Sequence, residues 1–171
     1  MTVLRQELKT KLRKALAGAT RIAVLGVGSD LRADDGAGPL VIRQLQRGHS
    51  RRSSCKVKTF DGGTAPENLT GKIRAFHPSH VIIVDAAELD SSPGTVAVSP
   101  PESICTTTFS THILPISILV DYLKCSIACK VTVIGIQPKS LQLQAPLSPE
   151  VRSAITELEL LIKKMSGEIL D

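Results

Sequence analysis

Short apolar runs alternate with amphipathic stretches along most of the chain. The apolar runs are rich in β-branched residues and predict strands at 21–27, 55–60, 81–84, 94–98 and 130–136. The amphipathic stretches between and after them predict helices at 39–46, 66–76, 115–124 and 149–165. Strands and helices that alternate at this spacing are typical of a doubly wound α/β domain with a parallel sheet.

Both ends of the chain predict amphipathic helices. Leucines recur every four residues behind Thr2, which indicates a helix within residues 1–18 with a basic outer face. A transit peptide has the same pattern, but Glu7 and the strand that follows favour a helix of the domain. At the other end, Ser148 and Pro149 are typical of a helix start, and the apolar face of the helix over 148–165 is expected to cover the core. Because no linker or repeat interrupts the chain, residues 1–171 are expected to form a single domain.

The composition narrows the classes of partner. Hydrophobic residues make up 42% of the 171 residues, which argues against disorder, and no apolar run approaches the roughly 18 residues of a membrane span. Aromatic residues make up only 2%, so the rings that stack on nucleic-acid bases are nearly absent. The net charge of +5 permits an acidic partner, although solvated basic faces explain most of the excess. We therefore expect a protein without nucleic-acid binding or a membrane span.

The four cysteines indicate packing rather than chemistry. Cys125 and Cys129 are four residues apart, which is not the C-x-x-C spacing of redox and zinc motifs. Nothing resembles a signal peptide, so a reducing cytoplasm is the expected location. We interpret all four as packing residues and leave the alternative of disulfides open: Cys55, Cys105, Cys125 and Cys129.

A glycine-rich turn at residues 26–38 follows the first predicted strand. A dinucleotide-binding fingerprint would need glycine where Leu31 stands, and a Walker loop would need serine or threonine where Ile73 stands. The turn instead contains two adjacent acids, Asp34 and Asp35. They either cap the helix that follows or face a ligand.

Two further polar residues are predicted near the same edge of the sheet. Asp85 follows the third strand, and His112 lies in the loop after the fourth. Taken singly, a strand-end acid is often a structural cap and a loop histidine is usually a surface residue. Because the carboxyl ends of parallel strands line one crevice, Asp35, Asp85 and His112 together form a set suited to a borderline divalent metal. No role is predicted for the remaining histidines, which lie in or beside polar turns: His49, His77 and His80.

Standard protease motifs are missing from the sequence. There is no H-E-x-x-H and no G-x-S-x-G, and no cysteine has the surroundings of a nucleophile. Spacing alone therefore leaves the reaction class open.

Five segments give the chain a family resemblance. The sequence G-V-G-S-D-L-R-A-D-D-G-A-G at 26–38 resembles the N-terminal signature of the hydrogenase maturation endopeptidases, which trim the C-terminus of the large subunit of [NiFe]-hydrogenases. The segments at 61–68, 83–86 and 111–115, followed by G-I-Q-P at 135–138, agree in order and spacing, so that the match covers about residues 20–165. The segments at 61–68 and 135–138 look most like the branch that serves formate-hydrogenlyase-type hydrogenases. One departure is Ser29, where the signature usually has asparagine.

The resemblance implies a fold, a site and a partner. The fold would be a three-layer α/β/α sandwich around a twisted, mostly parallel five-stranded sheet. The enzyme would be an aspartic-type peptidase, with Asp35 and Asp85 as catalytic carboxylates and Asp35, Asp85 and His112 as metal ligands. The metal would be nickel already placed in the large-subunit precursor, so the protein alone is expected to be largely metal-free. The expected partner is that precursor with its C-terminal extension, and the expected state is a cytoplasmic monomer.

Two other functions use the same residues. A metal-dependent hydrolase of a small molecule would hold a permanent metal that activates water. A non-catalytic nickel-handling chaperone would bind the metal without cleaving anything. Within the peptidase interpretation, either two carboxylates that share a proton or the nickel itself could drive the chemistry.

Overall fold

A five-stranded sheet forms the centre of the molecule. The computed structural model describes residues 3–47, 55–99, 108–109 and 115–168. Its strands are β1 (Arg21–Val27), β2 (Lys56–Gly63), β3 (His80–Glu88), β4 (Val96–Ser99), β5 (Thr108–Phe109) and β6 (Lys130–Ile136). The order of the main sheet is β2-β1-β3-β6-β4, with β4 antiparallel to β6 and the other pairs parallel, while the two-residue β5 pairs with the end of β3. The predicted α/β fold with a mostly parallel five-stranded sheet is confirmed.

Helices cover both faces of the sheet. They are α1 (Val3–Ala15), α2 (Ala37–Arg47), α3 (Thr70–Phe76), α4 (Ile116–Ile127) and α5 (Pro149–Glu168). Buried side chains of α1, α2 and α5 share one apolar cluster with one face of the sheet, and those of α3 and α4 share a second cluster with the other face. The central strands β1 and β3 are therefore buried on both sides, which explains why they are continuous apolar runs in the sequence.

The terminal helices bury the apolar stripes that the sequence predicts. Leu8, Leu12 and Leu16 pack at or just after α1, and Leu158 is fully buried in α5. Helix α5 continues three residues beyond the predicted end at 165. In the described ranges, no helix combines the length and the apolar character needed to cross a membrane.

The strand order reverses between the neighbouring strands β1 and β3. From β1 the chain passes through α2 to β2 on one side, and then through α3 to β3 on the other side of β1. Helix α2 packs on one face of the sheet and α3 on the opposite face. In open α/β sheets, ligands bind at such a switch point, outside the carboxyl ends of the two strands. The loop after β1 and the end of β3 are thus the places where functional side chains are expected.

Two of the three described cysteines are buried as packing residues, and the third is exposed. Cys55 and Cys129 are buried, and burial raises the pKa of both thiols. Cys125 is exposed on α4, so the prediction that it packs in the interior is wrong. Its place on the outer face of the helix is set by the 3.6-residue period, which the residue type alone does not reveal. Cys105 lies outside the described residues.

His80 is buried, contrary to its assignment beside a polar turn. It is the first residue of β3 and is 4% exposed. Its Nδ1 lies 3.0 Å from Ser79 Oγ, while its Nε2 is buried without a hydrogen-bond partner in the described part of the chain. Burial lowers the pKa of this imidazole, and the charge of Lys130 on the neighbouring strand lowers it further.

This lowered pKa predicts a loss of stability in mild acid. An unfolded histidine has a pKa of about 6.5. Well above that pH, His80 is neutral in the folded and the unfolded chain, so its titration does not change the free energy of unfolding. Below that pH the unfolded chain binds a proton that the folded chain does not, so the free energy of unfolding should fall by up to about 1.4 kcal/mol per pH unit until the folded pKa is reached. Denaturant titrations between pH 7.5 and 5.5 should show a weaker pH dependence for His80→Leu than for the natural protein. The control His77→Asn, at an exposed site with φ of +50°, should keep the full slope, and an unchanged slope in His80→Leu would refute this origin.

Candidate functional site

Asp35 lies at the carboxyl end of β1, on a 3-10 turn that leads into α2. The turn spans Ala33–Gly36, and Asp35 is 2% exposed. The turn packs closely on the sheet because Gly38 has no side chain: a Cβ there would lie 2.2 Å from the carbonyl oxygen of Val27 and 2.4 Å from that of Val84. The start of α2 therefore rests on the ends of both β1 and β3.

The two oxygens of the Asp35 carboxylate have different surroundings. Oδ2 accepts a hydrogen bond of 2.9 Å from the backbone N–H of Ser29. Oδ1 is buried and, among the described residues, has no hydrogen-bond donor. A buried carboxylate oxygen without a partner is costly, since it has lost water and gained nothing in exchange. The Ser29 bond orients the group, and Oδ1 is left available to a cation or another ligand.

Asp85 is fully buried inside β3 and lies opposite Gly135 of β6. The sequence places it at the end of an apolar strand, but β3 continues to Glu88, where β5 extends the pairing. Val84, the residue before it, is the one that Gly38 touches. Asp35 therefore lies in the loop after β1 and Asp85 lies within β3, the two strands that flank the switch point, and their role as a site stays a prediction.

His112, the third residue of the predicted set, lies outside the described residues. Within the described ranges, no group of three histidine, cysteine, aspartate or glutamate side chains could hold a metal ion. The strand that leads toward His112 is β5, and its Phe109 pairs with Ala87, two residues beyond Asp85. The histidine stays a predicted ligand.

Asp34 has a structural role that the sequence does not reveal. It is fully buried, and it does not cap α2. Its Oδ2 accepts hydrogen bonds from the backbone N–H groups of Lys139 and Ser140 and from the Ser148 hydroxyl, at 2.8, 3.0 and 2.8 Å. Its Oδ1 accepts the Ser148 N–H at 2.7 Å. This carboxylate therefore fixes the connection between β6 and α5 against the loop that carries Asp35.

Gln137, in the G-I-Q-P segment, fixes the connection between β3 and β4 through hydrogen bonds of its side-chain amide. Its side chain is buried, and its Oε1 accepts the Leu89 N–H at 2.7 Å. Its Nε2 donates to the Pro138 carbonyl at 3.2 Å. The amide thus connects the segment after β3 to the end of β6.

An exposed ion pair supports the loop after β1. Arg43 of α2 donates to both carboxylate oxygens of Asp30, each at 2.8 Å. The same guanidinium lies 4.0 Å from a carboxylate oxygen of Asp61 at the end of β2. The Arg43 guanidinium therefore connects two of the segments that carry the family resemblance, 26–38 and 61–68.

Comparisons with known proteins show which family and fold the chain resembles. The family model HycI, hydrogenase maturation protease, matches residues 39–165. The hydrogenase 3 maturation protease of Escherichia coli is 32% identical over 133 residues, which are 77% of this chain and 82% of that protein. The crystal structure of the [NiFe] hydrogenase maturation protease HycI from Thermococcus kodakarensis is similar with a TM-score of 0.82 and 31% identity, over 91% of this chain and 98% of that one. The hydrogenase maturating endopeptidase HybD from E. coli gives a TM-score of 0.69 at 29% identity, over 86% of this chain and 93% of that one.

Proposed function

The chain belongs to the hydrogenase maturation protease family, and from this premise we propose that it recognises nickel in the precursor of a [NiFe]-hydrogenase large subunit and removes the C-terminal extension. The peptidase activity is that of the family. The nickel, the identity of the substrate and the roles of single residues are our proposal. A cytoplasmic location and a monomeric state remain predictions.

The observation that carries the proposal is the Oδ1 atom of Asp35. It is a buried anionic oxygen without a donor among the described residues, at the switch point of a doubly wound sheet. Asp85 contributes a second carboxylate from the neighbouring strand, and His112 would contribute an imidazole. Two oxygens and one nitrogen suit a borderline divalent ion such as nickel, and they leave positions that ligands from the precursor would complete.

The same carboxylates would serve the cleavage step. The Ser29 N–H orients the Asp35 carboxylate through Oδ2, which would leave Oδ1 to contact the metal or the substrate. Either the nickel would polarise the scissile carbonyl, or the two carboxylates would share a proton and activate the attacking water. Asp35 is buried, and a hydrogen bond orients its carboxylate. Both features favour a catalytic role for Asp35 over that of a surface acid.

An assay on the precursor separates the three functions that the residues allow. The purified protein is mixed with nickel-loaded large-subunit precursor, and the products are resolved by gel electrophoresis. The proposal predicts a shortened large subunit and a released C-terminal peptide. A nickel-handling chaperone would move the metal without shortening the chain, and a small-molecule hydrolase would leave the precursor unchanged.

We expect the purified protein to be largely metal-free. Three protein ligands leave a metal only half coordinated, and the precursor should supply the remainder. Elemental analysis after gentle purification should therefore find far less than one nickel or zinc per chain. A nearly stoichiometric metal content would favour a resident metal and the small-molecule hydrolase.

The serine at position 29 should not impair activity. The bond that orients Asp35 comes from the backbone N–H, and among the described residues the Ser29 hydroxyl makes a single hydrogen bond, which it accepts from the Leu31 N–H at 3.3 Å. Ser29→Asn, which restores the usual residue of the family signature, should therefore cleave precursor within about two-fold of the natural rate. A large change in either direction would show that the side chain itself acts in the site.

A further inference from the structure

We propose that the guanidinium of Arg32 binds the oxygen of the scissile peptide carbonyl and stabilises the negative charge that this oxygen acquires during hydrolysis. The inference rests on the proposed function, since it assigns a further catalytic residue to the same reaction. It starts from a positive charge that the fold leaves unpaired beside the predicted carboxylates.

The side chain of Arg32 is half-buried and forms no ion pair with the described residues. Its Nε is buried and has no hydrogen-bond acceptor in the same part of the chain. A charged group that has lost part of its water without gaining a partner is costly. An arginine without a role in binding would extend into water or pair with a carboxylate, so the missing acceptor indicates a ligand.

Three carboxylates lie within three positions of Arg32, and all of them bind other donors. Asp30 accepts two hydrogen bonds of 2.8 Å from the guanidinium on α2. Asp34 accepts four hydrogen bonds from the segment after β6. Asp35 accepts a backbone N–H at 2.9 Å. The charge of Arg32 is therefore available to an acceptor from outside the chain.

Arg32 and Asp35 are the two ends of one turn. The Asp35 N–H donates to the Arg32 carbonyl at 2.9 Å, and residues joined in this way have Cα atoms within about 7 Å of each other. The long side chain of arginine can bridge that separation. A peptide bond held for attack at Asp35 would therefore have its carbonyl oxygen within reach of the guanidinium.

The backbone that carries Arg32 is fixed by close contacts. A Cβ on Gly28 would lie 1.8 Å from the carbonyl oxygen of Asp35, so the loop after β1 closes tightly on the turn. The Asp34 N–H donates to the Ser140 carbonyl at 3.1 Å, which holds the middle of the turn against the segment after β6. A donor whose backbone is positioned in advance stabilises a developing charge with little reorganisation.

Hydrolysis of a peptide bond creates negative charge on one particular oxygen. When the carboxylates activate the water, its oxygen bonds to the carbonyl carbon, one proton passes to a carboxylate, and the carbonyl oxygen becomes an oxyanion. The C–N bond then breaks, the leaving amine takes that proton, and the new carboxyl group of the shortened subunit ionises. Arg32 keeps its protons throughout, since a guanidinium is not deprotonated in proteins. Its charge favours the anionic forms over the neutral carbonyl, which is the condition for catalysis.

The first test separates catalysis from binding. Arg32→Met and Arg32→Lys are assayed on nickel-loaded precursor, and kcat and KM are determined separately. We expect Arg32→Met to lower kcat by about 100-fold and to change KM by less than about three-fold, because the lost contact strengthens in the transition state. Arg32→Lys keeps the charge without the planar guanidinium, and its kcat should stay within about ten-fold of the natural value. The matched control is Arg74→Met, at an exposed site in the last turn of α3, which should change neither constant.

Binding of the product provides a readout that does not depend on catalysis. A peptide with the C-terminal sequence of the shortened subunit is prepared with a free α-carboxylate and, separately, as the amide. Calorimetry then measures the Kd of each peptide for the purified protein. The acid should bind at least about ten-fold more tightly than the amide, because a guanidinium forms charge-assisted hydrogen bonds with a carboxylate. Arg32→Met should abolish this preference, and Arg74→Met should keep it.

Each other outcome overturns a specific statement. If the natural protein does not shorten the precursor, the proposed function is wrong, and this role of Arg32 is wrong with it. If the natural protein cleaves and Arg32→Met keeps a normal kcat, only the role of Arg32 is wrong. A rise in KM at constant kcat would place the guanidinium on a substrate group away from the reacting oxygen. A fall in kcat that Arg32→Lys does not relieve, with a lower melting temperature and an unchanged preference for the acid, would show that Arg32 only stabilises the loop.

Discussion

Asp35→Asn should reduce cleavage of nickel-loaded precursor by at least about 100-fold while the protein stays folded. Asparagine has a single carbonyl oxygen, and the Ser29 N–H will hold that oxygen in the place of Oδ2. The amide nitrogen then occupies the place of Oδ1, where it repels a cation and cannot bind one. Because Oδ1 has no donor among the described residues, its loss removes no hydrogen bond from the fold. The melting temperature should therefore remain within about 3 °C of the natural value.

The controls for this experiment lie elsewhere in the chain. Asp121→Asn, at an exposed site on α4, should change neither activity nor stability. Asp85→Asn and His112→Ala should lose activity as Asp35→Asn does, because each removes one of the predicted ligands. If all three variants cleave at the natural rate while folded, this set of residues does not recognise nickel.

Asp34→Asn, one position away, should act on stability. It replaces an acceptor of four hydrogen bonds by an amide that can accept at only one atom, and it leaves buried N–H groups of the segment after β6 without a partner. Hydrogen bonds to a buried charged group are strong, and the loss should be about 3 to 5 kcal/mol. For a chain of this length, that lowers the melting temperature by roughly 10 °C. Urea unfolding followed by circular dichroism measures the difference.

A matched control distinguishes a buried carboxylate from an exposed one. Asp30→Asn removes the surface ion pair with Arg43, and it should cost less than about 1 kcal/mol because water screens that pair. If Asp34→Asn unfolds no more easily than Asp30→Asn, the hydrogen bonds to Asp34 do not stabilise the fold.

The main strands, and the positions of Asp35 and Asp85 after β1 and in β3, could be predicted from the sequence because their signals are local. A strand buried on both faces is a continuous apolar run, so β1, β3 and β6 are evident from residue type alone. The alternation of elements indicates a parallel sheet, and a parallel sheet brings the ends of its strands to one edge. Asp35 and Asp85 follow from those two rules without any knowledge of contacts.

The roles of Asp34 and His80 depend on contacts between distant parts of the chain. Asp34 is bound by residues 105 to 114 positions away, and no local pattern distinguishes it from a helix cap. His80 is buried because β3 begins one residue earlier than its apolar run indicates, with Lys130 paired opposite. Contacts between residues so far apart in the sequence are determined by the tertiary structure.

The most direct test of the proposed function compares nickel-loaded with nickel-free precursor of the same large subunit. Both are incubated with the purified protein, and mass spectrometry measures the shortened subunit and the released C-terminal peptide. We predict cleavage at one bond in the nickel-loaded precursor and a rate at least about 100-fold lower in the nickel-free form, because Asp35, Asp85 and His112 would have no ion to bind. Equal cleavage of both forms would contradict nickel recognition, and cleavage of neither would contradict the proposed substrate.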